Sequence, residues 1–261
     1  MAISVNNTGN SGVVNTNYRI NPPGHNVRFA GSNLTSDCFE STTPKKYTTE
    51  FALNKAIKEN SKINIILKEA NIPLKLNMKE LEEIQTHHAS DTREIAAGII
   101  DNLPFSLKQK TDRQAVENAA YLHDIGKVLI PAEILNKEGK LSGEETEIMH
   151  KHSELSYELL KNSGLDKKTL NLIKNHHQNA KKTGYPFVDN TFFADINLQI
   201  VSMADKYSAL TEKRSYKKPM TSKEALTVIL KDVQDGKYNP LIFNSLVKYA
   251  QKTNTMANVS A

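Results

Sequence analysis

Five of the eight histidines in this 261-residue chain, together with two aspartates, are spaced so that a metal ion could be gathered among them. His123 and Asp124 are adjacent at the end of the apolar run Ala119, Ala120, Tyr121, Leu122. His152 follows Ile148 by four positions and precedes Leu155 and Leu159 by three and seven, which puts it on the apolar stripe of a helix while His150 points elsewhere. His176 and His177 each follow an apolar residue by four, Leu172 and Ile173, and Asp205 follows Val201 by four and Leu198 by seven. Upstream, Leu81, Ile84, His88, Ile95 and Ile99 share a face with His88 in its middle. One histidine on such a face is usually a core residue bonded to backbone. Five of them with two carboxylates would cost on the order of several kcal/mol to bury without partners, and metal coordination is the commonest way to offset that cost. Mixed imidazole and carboxylate donors favour Fe, Mn or Zn over Ca or Mg. Seven donors also exceed what one six-coordinate ion uses, so a centre of two or more ions is expected. A carboxylate such as Asp124 would then bridge them, and a bridging hydroxide would be the nucleophile. Cys38 is the single cysteine, so there are no paired thiolates for a structural zinc and no internal disulfide.

These side chains need helices to carry them. Helical periodicity is expected over 50 to 70, 77 to 101, 111 to 125, 143 to 162, 166 to 178, 193 to 212, 222 to 234 and 239 to 251, with no strand-like alternation of useful length. Ser142 with Glu145, and Thr221 with Glu224, have the spacing of capping boxes, and Gly126 and Gly164 read as helix stops. Residues 1–46 are rich in Asn, Ser, Thr and Gly without helical periodicity and read as a disordered tail. The folded, all-α part is expected over 47–255. No apolar run approaches the roughly 18 residues that cross a bilayer, and no secretory leader pattern opens the chain, so a cytoplasmic protein without a membrane partner is expected. The net charge of +5 is spread among acidic residues without an aromatic-studded basic stripe, which argues against a nucleic-acid duplex as partner and suits a small anionic, phosphate-bearing substrate.

The segments His123-Asp124-Ile125-Gly126-Lys127, His152, His176-His177, Gly184-Tyr185-Pro186 and Ala204-Asp205-Lys206-Tyr207-Ser208-Ala209-Leu210 resemble, in order and spacing, the HD-GYP family of bacterial cyclic di-GMP phosphodiesterases. The likeness covers roughly residues 80 to 230. It implies an HD-domain helical bundle with a buried centre of two or three divalent transition-metal ions, iron or manganese. Its ligands would be His88, His123, Asp124, His152, His176, His177 and Asp205. His87 adjoins His88, and Glu83 with His87 has the spacing of an extra ligand pair; the apolar stripe favours His88. The resemblance gives Asp124 and Lys127 catalytic roles, and places Lys127, Tyr185, Arg214 and Lys217 against the phosphates and guanines of the substrate. It admits a diguanylate cyclase or another signalling protein as partner and leaves oligomeric state open.

Departures from the family pattern cluster beside the recognition loop. Gln178 stands where the family has glutamate, Lys181-Lys182 replaces Asp-Gly, and Ser208 replaces a second aspartate. Three readings follow. The first is hydrolysis of cyclic di-GMP to the linear dinucleotide and onward to GMP by a metal-bridged hydroxide. The second keeps the centre and changes the substrate to another cyclic dinucleotide or nucleotide. The third is a nucleotide-sensing or partner-binding protein with little turnover.

Overall fold

The computed structural model describes residues 44–212 and 218–259, and every regular element among them is helical. The expected tail therefore lies outside the described residues except for its last three positions, and so do Cys38, Arg214 and Lys217. After a short 3-10 turn at Pro44–Tyr47 the order is α1 (Glu50–Glu59), α2 (Ser61–Glu69), α3 (Met78–Ile84), a π turn (Gln85–Ala89), α4 (Ser90–Asp101), α5 (Phe105–Lys108) and α6 (Arg113–Leu122). A 3-10 turn (Ile125–Leu129) then leads into α7 (Ala132–Leu135), α8 (Gly143–Leu160), α9 (Lys167–Asn175), α10 (Ile196–Thr211), α11 (Ser222–Gln234) and α12 (Pro240–Val259).

Polar side chains mark most of the helix starts. Thr49, Asn60, Asn77, Asp112, Asp166 and Asp195 each accept a hydrogen bond from a first-turn amide, which satisfies donors that have no partner inside the helix. Both expected capping boxes close, at Ser142/Glu145 and Thr221/Glu224. Asn60 caps α2 and thereby splits the single helix expected over 50 to 70.

The core is built on α4, α6 and α10. Helix α4 packs on α6, α10 and α12, while α9 packs on α6 and α8, so Ile95, Ile99, Val116, Ala119, Ile173, Val201 and Ala204 are all buried. Alanines at the crossings let the helix axes approach closely, and each fully buried Leu or Ile contributes about 1.5–3 kcal/mol. Helix α8 lies along the 3-10 turn and also packs on α1 and α2. No helix among the described residues is long and apolar enough to cross a membrane.

Two expected helices end early, each at the site, and a third starts late. Helix α6 stops at Leu122, so His123 is its cap and Asp124 opens the 3-10 turn. Gly126 is no helix stop. A Cβ there would lie 2.2 Å from the His152 carbonyl oxygen and 2.5 Å from the Ser156 amide, so its role is close approach to α8. Helix α9 stops at Asn175, which leaves His176 as cap and His177 and Gln178 in the following turn. Helix α10 begins at Ile196, three residues later than expected. Gly164, at φ +87°, closes the turn after α8 as a left-handed residue.

Candidate metal centre

Six segments bring seven side chains to one place. The π turn supplies His88, the end of α6 supplies His123, the entry to the 3-10 turn supplies Asp124, α8 supplies His152, the end of α9 supplies His176 and His177, and α10 supplies Asp205. All except His177 are buried, and the neighbouring His87 is exposed. The donors divide into two lobes. His88 Nε2 lies 3.1 Å and His123 Nε2 3.5 Å from Asp205 Oδ1. His152 Nε2 lies 3.2 Å from His176 Nε2 and 3.1 Å from His177 Nε2. Asp124 stands between them: Oδ2 is 3.5 Å from His88 Nε2 and 3.4 Å from His123 Nε2, and Oδ1 is 3.2 Å from His152 Nε2 and 3.9 Å from His176 Nε2.

Backbone geometry aims the rings. At His123, His152 and His176 the Nδ1 atom sits 2.7–2.8 Å from the carbonyl three residues earlier, at Ala120, Met149 and Ile173. The Nδ1–H donates there, which fixes the tautomer and leaves the Nε2 lone pair facing the centre. His88 is turned the same way by different means, with Nδ1 3.2 Å from Ser208 Oγ and 3.3 Å from Glu212 Oε2. Glu212 was not marked by its sequence context, although it follows Asp205 by seven and Ser208 by four and therefore shares their helix face.

Electrostatics prepare the donors for a cation. Burial holds His152 down to about 3 and His177 to about 4, and pushes His176 well below its ordinary value, so these three imidazoles stay neutral at neutral pH. Burial would raise Asp124 and Asp205, yet Lys127 and His123 at the first, and His123 and His88 at the second, hold both well below the usual carboxylate range. For His123 and His88 burial pulls downward, but the facing carboxylates outweigh it and raise both. At the centre, the buried atoms His123 Nε2 and Asp124 Oδ1 have no hydrogen-bond partner among the described residues. Three sets, His152/His176/His177, His88/His123/Asp205 and His123/Asp124/His176, each bring their ligand atoms within 4.8 Å of one another. The donor chemistry and the orphaned atoms fit metal ions.

The centre opens into a cleft of about 950 Å³ lined by Lys127, Met149, Tyr185 and Glu212 as well as by His88, His152, His177 and Asp205. Lys127 Nζ is 2.5 Å from Asp124 Oδ2. Tyr185 belongs to a loop folded tightly on the paired histidines, where a Cβ on Gly184 would lie 1.9 Å from the His177 carbonyl oxygen. Buried Gln178 clamps that loop, since its Nε2 donates to the Pro186 carbonyl (2.6 Å) and its Oε1 accepts from the Gly184 amide (3.2 Å). An amide is suited to this double bond in a way that a carboxylate is not, because a carboxylate cannot donate. Lys182, at φ +59°, donates from Nζ to the Asn190 carbonyl (2.7 Å), so one of the two lysines that replace Asp-Gly ties the loop together. His150 stays out of the cluster, but it does not point into empty space: it stacks on Tyr185.

The family described as HD domain matches residues 69–242. Among curated relatives, a 3'3'-cGAMP-specific phosphodiesterase of Vibrio cholerae is 32% identical over 64% of this chain and 32% of its own length. The Cyclic di-GMP phosphodiesterase of Thermotoga maritima is 32% identical over 66% of this chain and 47% of its own. The response regulator RpfG of Xanthomonas campestris, also a cyclic di-GMP phosphodiesterase, is 34% identical over 51% of this chain and 35% of its own. The chain spans about a third to a half of the lengths of these relatives.

Proposed function

Because this chain belongs to the HD-domain family, we propose that it is a metal-dependent phosphodiesterase that hydrolyses a cyclic dinucleotide, with cyclic di-GMP as substrate. The observation that carries this reading is the division of the ligand cluster into two lobes with one oxygen of Asp124 turned toward each. His88, His123 and Asp205 would hold one divalent ion, His152, His176 and His177 a second, and Asp124 would serve both. Nitrogen and carboxylate donors without thiolate suit iron, manganese or zinc, of which the resemblance to the HD-GYP family points to iron or manganese, and the ligand count supports two ions and leaves room for a third. When bound, such ions ionise water near neutral pH and polarise phosphoryl oxygens.

The remaining work falls to the chain's own residues. Lys127, beside Asp124 at the cleft floor, neutralises charge that grows on a nonbridging oxygen and holds the phosphodiester against the centre. Tyr185 borders the same cleft and orients the nucleotide, and Arg214 and Lys217 are proposed to complete the phosphate and base contacts. The backbone-bonded Nδ1 atoms prevent the ligand rings from turning away during the reaction.

A second reading keeps the centre and changes the base. It is supported by the cGAMP-specific relatives and by a recognition loop rebuilt around Gln178 and Lys182. Anaerobically purified chain, analysed for metal and then assayed on cyclic di-GMP, 3'3'-cGAMP and cyclic di-AMP, separates the two. At least two transition-metal ions per chain and preferred turnover of cyclic di-GMP are expected. Asp124→Ala is expected to lose both metal and hydrolysis while keeping its helical circular dichroism. One ion or fewer per chain would remove the two-ion centre, and preferred turnover of 3'3'-cGAMP would select the second reading.

A further inference from the structure

Tyr185 is held between two histidines that come from different elements. Its ring centroid lies 3.8 Å from that of His150 with the planes at 17°, and 4.4 Å from that of His177 with the planes at 33°. Two rings cannot occupy one face of a third at those distances, so His150 and His177 cover opposite faces. His152 meets the same ring edge-on, at 6.0 Å and 82°. Residues two apart on a helix point in divergent directions, yet both His150 and His152 of α8 reach Tyr185, because the loop lays the phenol across the helix.

With both faces covered, Tyr185 offers the cleft only its edge and its hydroxyl, which makes no hydrogen bond among the described residues. A nucleobase therefore has no face of this ring on which to stack, and contact with substrate runs through the phenol, a hydrogen-bond donor at neutral pH. The position of that hydroxyl depends on the ring plane. His177 faces the metal cluster and Gln178 fixes the backbone on either side of Tyr185, but neither covers the outer face of the ring. His150 does.

We infer that His150 is a positioning residue for substrate binding: by stacking on the outer face of Tyr185 it fixes the ring so that its hydroxyl, rather than its face, meets the cyclic dinucleotide. The inference rests on the proposed function for its substrate, and on the ring geometry alone for its structural half.

The test uses the full chain in its metal-loaded form, with variants His150→Ala, His150→Phe and Tyr185→Phe. Steady-state kinetics on cyclic di-GMP are expected to show KM raised about threefold to tenfold in His150→Ala, the effect of one aromatic pair, with kcat changed less. His150→Phe keeps a flat ring over Tyr185 and restores KM. The second measurement needs no substrate. In zinc-loaded protein carrying 3-fluorotyrosine, the Tyr185 resonance, assigned by its loss in Tyr185→Phe, is expected to shift in His150→Ala and to return toward the wild-type position in His150→Phe. An unmoved resonance in His150→Ala overturns the inference, and so does a moved resonance with unchanged KM. If wild-type chain turns over no cyclic dinucleotide, the proposed function falls, while the fluorine spectra still decide whether His150 holds Tyr185.

Discussion

At the scale of single residues, the centre depends on which ring nitrogen each histidine keeps free. Three rings are oriented by carbonyls of their own helices three residues earlier, two of them at helix ends and His152 in mid-helix. His88 has no such carbonyl partner at Nδ1 and leans on Ser208 of α10 and on Glu212, which caps that helix. Ser208 stands where the resembled family has aspartate, and Glu212, one helical turn later, returns a carboxylate to the same nitrogen. Outer partners of this kind are worth about 10- to 100-fold in metal affinity. Glu212→Ala is therefore expected to weaken metal binding about tenfold in a competitive chelator titration, and Ser208→Asp in that background to recover part of the loss. Unchanged affinity in Glu212→Ala would assign the orientation of His88 to Ser208 alone.

At the scale of elements, two contacts decide how well the site is framed. The first is the Gln178 clamp on the recognition loop. Gln178→Glu restores the family's residue type but sets a carboxylate against the Pro186 carbonyl, a loss of about 1–3 kcal/mol in local stability. Faster protease cleavage within residues 183–195 and a raised KM are expected, and an unchanged cleavage rate would show that Gly184 packing holds the loop without the clamp. The second contact ties α1 and α2 to α8. Glu158, 3% exposed, accepts from Asn60 Nδ2 at 2.7 Å and pairs with Lys62 at 3.1 Å and Lys161 at 2.6 Å. Burial would raise its carboxyl, but Asn60 and the two lysines hold it below its ordinary value. A depressed folded value means that the stability Glu158 contributes is complete above its unfolded pKa of about 4.3 and is lost as pH falls through the folded value. Glu158→Gln is expected to cost about 1–3 kcal/mol at pH 7, and the gap from wild type in thermal melts should close below about pH 4. A gap that persists into acid would mean that the loss is one of packing.

At the scale of the whole molecule, the ligands come from segments between His88 and Asp205, so a bound ion ties the middle of the chain together. Ions that bind the folded state a thousandfold above their dissociation constant add about 4 kcal/mol, and at this chain length each kcal/mol moves the melting temperature about 2–4 °C. Chelator treatment is thus expected to lower Tm by roughly 8–16 °C, reversibly on adding metal back, and an unchanged Tm would mean that the folded chain does not hold the ions tightly. Much of this architecture is legible in the sequence by itself. Apolar spacing of three and four identifies the helices, Ser142/Glu145 and Thr221/Glu224 mark two starts, and the types and order of the histidines and aspartates announce metal chemistry, because each of these signals is local. The sequence could not show that α6 and α9 end just before their site histidines, that a π turn carries His88, or that Asn60 breaks the first long helix, since periodicity is blind to a change of helical register over one turn. Nor could it pair His150 with Tyr185, Gln178 with both sides of the loop, or Glu212 with His88. Those contacts depend on how the loop and the helices fold against one another, and no fixed spacing along the chain announces which of their side chains meet.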